Sequence, residues 1–82
     1  MRKITYLKNA YKTLASYDTK TRKRVIKSID AIPQGDVKRL KGDKYPPVYR
    51  LRVGKYRIIY HIEKEKEIII VKIDTRGDIY KY

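Results

Sequence analysis

The stretch VYRLRVGKYRIIYHI, residues 48–62, constrains the fold more than any other part of the chain. Apolar and charged side chains alternate along it with a period of two, as a strand with one buried and one solvated face requires. Gly54 and Lys55 separate two such runs, and glycine supplies the positive φ that a two-residue hairpin turn needs at its first position. That turn dictates the register. Val53 stands opposite Tyr56, Arg52 opposite Arg57, Leu51 opposite Ile58, Arg50 opposite Ile59 and Tyr49 opposite Tyr60. Paired residues project to the same side of a sheet. One face therefore reads Val53, Tyr56, Leu51, Ile58, Tyr49 and Tyr60, which needs covering, and the other carries Arg50, Arg52, Arg57 and, toward the end, His61.

The cover comes from the residues before the hairpin. RKITYL reads as a first strand with Ile4 and Tyr6 on one face. In KNAYKTLASY, Ala10, Leu14 and Tyr17 recur at helical spacing with Tyr11 beside them, which predicts a short amphipathic helix. Asp18 and Thr19 are N-cap residues for a second helix. Its Val25, Ile26, Ile29 and Ile32 form one apolar stripe, while Lys20, Arg22, Lys23, Arg24 and Lys27 take the outer face. Pro33 stops this helix, PQGD makes a turn, and VKRLKGDKYPP reads as a loop broken by Gly42 and the Pro46-Pro47 pair. Strands are predicted over 48–53, 56–62 and 68–74. Continuing the ladder through EKEKE, with Glu63 opposite Ile68, places Ile69, Val71 and Ile73 on the core face. Lys72 and Asp74 then lie on the arginine face, with Asp74 opposite Arg57. The reading is a single α+β domain over residues 1–82: an N-terminal strand, then a two-helix hairpin packed on one face of a four-stranded, mainly antiparallel sheet.

Composition narrows the function. The 82 residues hold 22 Lys and Arg against 9 Asp and Glu, a formal net charge of +13. A field of that sign attracts polyanions over about 8 Å at physiological salt, so nucleic acid, a ribosome or a strongly acidic protein is the expected partner. There is no cysteine, which removes disulfide and thiolate chemistry and is compatible with a reducing cytosol. No apolar run approaches a membrane span, and MRKITYLKNAYK has no signal-peptide core; a soluble cytoplasmic protein is expected. All nine aromatic residues are Tyr, and many of them must fill the core because little else is large.

Arg52 opposite Arg57 carries the most functional information. Like charges directly across a sheet cost about 0.2–1 kcal/mol, and two guanidiniums side by side are suited to gripping a phosphate between them. His61 is the only histidine, which excludes a two-histidine ribonuclease mechanism; it lies at the far end of the arginine face, where an edge or partner contact accounts for it. Asp74 and Asp78 are positioned to orient arginines or, for Asp78 beside Gly77, to build a turn. They do not make a metal site, and no phosphate loop or catalytic triad is present. No cofactor or metal is expected.

With LKGDKYPPVYRLRVGKYRIIYHI and the ending DTRGDIYKY taken together, the whole chain resembles the RelE toxins of the RelE/ParE toxin–antitoxin superfamily. The resemblance implies a metal-independent endoribonuclease that cleaves mRNA in the ribosomal A site by attack of a ribose 2′-OH on the adjacent phosphate, inhibiting translation. It implies catalytic roles for Arg52, Arg57, Arg76 and Tyr80, and RNA or phosphate contacts for Arg50, Arg52, Arg57 and Lys72. Tyr80 would be a general base or a stacking platform. The implied partners are an acidic antitoxin, the ribosome with its RNA, and mRNA, with operator DNA reached only through the antitoxin. Two departures from the pattern involve three positions. Arg50 and Arg52 stand where RelE has lysines, and Thr75 stands where many relatives have His or Lys; neither change leaves a titratable group. Two alternatives stand beside this reading: a weakly active or inactive relative that binds RNA or antitoxin, and a ParE-like gyrase inhibitor on the same fold.

Overall fold

Each amphipathic segment of the sequence forms the element whose apolar side can be buried. A computed structural model describes residues 3–40, 47–63 and 67–75. Strand β1 (Ile4–Tyr6) leads into helix α1 (Lys8–Ser16), followed by α2 (Thr19–Asp30), β2 (Asp36–Arg39), β3 (Val48–Val53), β4 (Tyr56–Ile62) and β5 (Ile68–Thr75). The Asp18 carboxylate accepts a hydrogen bond of 2.9 Å from the Thr21 amide and so caps α2, as the sequence predicted. The preceding helix end is closed by an arginine: Arg22 Nη1 donates to the Ala15 and Tyr17 carbonyls at 3.2 and 2.9 Å. A cation is favoured at that end by the helix dipole.

The sheet has five strands in the order β1-β5-β4-β3-β2, antiparallel except where β1 runs parallel to β5. The α+β class, the order of elements and the single covered face agree with the sequence reading, but the sheet is one strand wider. Asp36–Arg39, read from sequence as the end of a turn and the start of a loop, pairs with β3. Its one apolar residue, Val37, gives almost no alternation to detect; the open ladder of β3 supplies the hydrogen bonds that make it a strand. Gly35, at φ +102°, precedes it with a would-be Cβ only 3.3 Å from Leu51 Cδ1, so glycine lets the chain approach the core closely there.

The core lies between the helices and one sheet face. Ala10 and Leu14 of α1, and Val25 and Ile29 of α2 with the following Ile32, meet Leu51, Val53, Ile58, Tyr60, Ile68, Ile70 and Ile73. Tyr6, Tyr17, Tyr49 and Tyr56 pack at its margin, with the Tyr49 and Tyr60 rings stacked at 5.4 Å and Tyr17 and Tyr56 tilted at 4.8 Å. Tyr11 is largely exposed on α1.

The β3–β4 register is the one predicted at all five pairs. In β5 the prediction holds only in part. Arg57 faces Asp74, Ile58 faces Ile73 and Ile59 faces Lys72, but Tyr60 then faces Ile70, Val71 being the extra residue of a bulge. Ile68 and Ile70 are buried, whereas Ile69 and Val71, expected in the core, are not. The physical reason is a conflict between the two ends of the strand. The β4–β5 connection closes through the Glu63 amide donating to the Glu67 carbonyl at 2.7 Å, and it sets Ile62 opposite Ile68. The arginine end requires a register one residue different, and a bulge absorbs the discrepancy. The run IIIV has no alternation that could reveal which parity is buried.

Candidate nucleic-acid interface

The face of the sheet away from the helices collects the charged positions of four strands into rows. One row runs Asp36, Arg52, Arg57, Asp74 across β2, β3, β4 and β5. The next runs Lys38, Arg50, Ile59, Lys72. Five cations and two carboxylates thus share one surface. Of the residues singled out from sequence, the structure brings together Arg50, Arg52, Arg57, Lys72 and Asp74. Arg76, Asp78 and Tyr80 lie outside the described residues. Sequence reasoning missed Asp36 and Lys38, since residues read as turn and loop have no assigned face; their only signal is the single apolar Val37 between charged neighbours.

Each carboxylate engages a cation. Arg57 Nε lies 3.4 Å from Asp74 Oδ1, Lys72 Nζ lies 3.5 Å from Asp74 Oδ2, and Arg50 Nη2 lies 3.6 Å from Asp36 Oδ1. Arg57 and Asp74 are mostly buried side chains, at 20% and 15% exposure, whereas Lys72 and Asp36 are open to solvent. Although within ion-pair distance, neither Arg57 Nε nor Asp74 Oδ1 has a well-formed hydrogen bond. The attraction is Coulombic, without the directional fork that makes an Arg–carboxylate pair strong. The flanking aspartates also offset the repulsion between Arg52 and Arg57 that the hairpin register creates.

His61 pairs with Val48 and Ile69 at the opposite end of the face, and its Nδ1 lies 2.9 Å from Glu63 Oε2. Four residues along β4 from Arg57, at about 3.4 Å per residue, it stands about 14 Å away. That is beyond the reach of a general acid or base acting on a phosphate held by Arg57. Thr75 lies opposite Tyr56 at the end of β5. Asp36 and Asp74, three strand spacings or about 14 Å apart, cannot share a metal ion, and the described residues contain no cluster of three potential ligands. The described part of the face thus gathers arginine and lysine side chains, groups that attract anions.

Burial raises the Tyr17 phenol above its ordinary value, helped by Tyr56 and by Asp74. Tyr6 is raised by burial and by Asp30. Among the described residues no helix is long and apolar enough to cross a membrane.

A sequence model of the family described as the ParE toxin of the type II toxin–antitoxin system parDE matches residues 4–80. The structure is similar to one in the crystal structure of the archaeal RelE–RelB complex from Pyrococcus horikoshii OT3, with 30% identity, 93% of this chain and 96% of that chain covered, and a TM-score of 0.77. A second likeness, to the RelB–RelE antitoxin–toxin complex from Methanococcus jannaschii, has 28% identity, coverage of 95% and 96%, and a TM-score of 0.73. The RelBE2 toxin–antitoxin complex from Mycobacterium tuberculosis shares the fold at 21% identity, with coverage of 93% and 92% and a TM-score of 0.73. No curated protein sequence matches the chain significantly. The chain belongs to the ParE toxin family, within the RelE/ParE superfamily of type II toxin–antitoxin toxins.

Proposed function

We propose that this toxin is a ribosome-dependent endoribonuclease that cuts mRNA in the A site and so inhibits translation. The observation that carries the reading is the gathering of Arg50, Arg52, Arg57 and Lys72 on one sheet face, the residue types that recognise phosphates. In this reading the message lies across the face with its scissile phosphate between Arg52 and Arg57. As the 2′-OH attacks, negative charge grows on the phosphorane oxygens, and fixed guanidiniums favour that state over the ground state. Arg76 adds a further cation, and Tyr80 serves as the base or stacks on a nucleobase. Arginines do not lose protons, so Arg50 and Arg52 stabilise charge rather than transfer protons. Positive charge on the exposed side of α2 assists docking on ribosomal RNA.

The partner that silences the toxin is an acidic antitoxin, in line with the RelE–RelB complexes to which the fold is similar. Operator DNA is reached only through that antitoxin. The match to a family described as ParE toxin favours one second reading, inhibition of gyrase. Thr75 and the arginine-for-lysine positions favour a weakly active relative.

Primer extension on mRNA programmed into ribosomes separates these readings. Codon-phased cuts that require ribosomes, and that fall by about 10²–10³ in rate with Arg57→Ala or Arg76→Ala, support the nuclease. Ribosome binding without cuts leaves the inactive relative. Neither binding nor cuts, with loss of supercoiling in a gyrase assay, replaces the nuclease by the gyrase reading.

A further inference from the structure

The row Asp36, Arg52, Arg57, Asp74 places a carboxylate on each flank of the arginine pair. Asp74 sits against both Arg57 and Lys72, and Asp36 against Arg50. Three of the five cations on the face are thus engaged by carboxylate oxygens at 3.4–3.6 Å. A carboxylate presents the same anionic oxygens to a guanidinium as a phosphodiester does. The Arg57–Asp74 contact is loose in geometry, which suits a pair that separates when a better anion arrives.

We propose that Asp74 and Asp36 are specificity-determining residues, built-in competitors that a nucleic-acid backbone must displace before the arginines can hold it. This inference rests on the reading of the face as a phosphate-binding surface. A single phosphate exchanges one anion for another at Arg57 and gains little. A chain of phosphates engages several cations of both rows at once and releases more bound counterions, so it outcompetes both aspartates together. The device turns a strongly basic surface away from scattered anions and toward a backbone already presented in an extended, fixed form. It also gives Asp74 two roles of opposite sign, since the carboxylate that steadies Arg57 in the free protein opposes the ligand.

The test is binding of a short fluorescent single-stranded RNA, measured by anisotropy across a salt series. Wild type is compared with Asp74→Asn, Asp36→Asn and the double variant Arg52→Gln/Arg57→Gln. Asp36 is 57% exposed, so its variant keeps the comparison valid if Asp74→Asn lowers stability. Asp36→Asn is expected to tighten binding about two- to fivefold, the scale of an exposed ion pair, and Asp74→Asn by at least as much, because its pair with Arg57 is mostly buried. The slope of log affinity against log salt should steepen by about 0.7 for each cation released to a single strand. A role confined to stability would move the melting temperature and leave that slope alone. Weaker binding, or an unchanged slope, in both aspartate variants overturns the inference while the arginine variant still binds less RNA. If the arginine variant binds RNA as well as wild type does, the phosphate-binding reading of the face itself falls, and the inference with it.

Discussion

Truncating Ile70 to alanine probes the bulge that sets the faces of β5. Ile70 is fully buried and pairs with Tyr60. Removing a buried isoleucine to Cβ costs about 2–5 kcal/mol, from lost transfer energy and the cavity left behind. A domain of this size has a total stability of about 4–12 kcal/mol, so the variant is expected to lose about a sixth of it or more. At about 4–8 °C per kcal/mol, the midpoint of thermal unfolding should fall by at least about 8 °C. Ile69 is half-buried on the opposite face, between Thr5 and His61, and Val71 is the half-buried, unpaired bulge residue. Ile69→Ala and Val71→Ala should each cost less than about 1.5 kcal/mol. The assay is urea unfolding followed by circular dichroism, with linear extrapolation to water. A regular ladder without the bulge would bury Ile69 and Val71 instead. Costs for those two variants that equal or exceed that of Ile70→Ala would therefore refute the assignment of faces.

Three further outcomes follow from particular contacts. Gly54 has φ +59° and an added Cβ would lie 3.1 Å from Arg24 Nη2; because that guanidinium can move, Gly54→Ala should cost about 1–2 kcal/mol, mainly from the left-handed backbone, read in the same urea assay. The hydrogen bond from Thr21 holds Asp18 below its ordinary value of 3.8. Its contribution is therefore present above that pH and lost as pH falls through the lower folded value, so the melting-temperature gap between wild type and Asp18→Ala should narrow on acidification; a constant gap would refute the cap. Tyr17 is shifted the other way, above 10.0. The folded state keeps this proton longer than the unfolded chain does, and stability should drop as pH rises past 10. Tyr17→Phe should blunt that alkaline loss, a comparison that thermal melts between neutral pH and strongly alkaline buffer would settle.

Local pattern determined much of this protein. Alternation in residues 48–62 and the Gly54-Lys55 turn specify a hairpin whose register repeats every two residues, so its arginine face and its core face follow from the sequence by counting. The helical stripes Ala10–Leu14 and Val25–Ile29 and the Asp18 cap are equally local, because each is a periodicity or a hydrogen bond within a few residues. That Asp74 stands opposite Arg57 was also legible, since charged residues break the apolar run at Lys72 and Asp74. Tertiary structure alone decided the rest. Asp36–Arg39 becomes a strand only because β3 offers it an open edge, and that pairing brings Asp36 and Lys38 onto the charged face. In IIIV the choice of buried residues is degenerate, and it is made by the closure of the β4–β5 connection and the parallel pairing with β1, with a bulge at Val71 taking up the difference. Contacts distant in sequence set these features, and their hydrogen bonds have no counterpart in local composition.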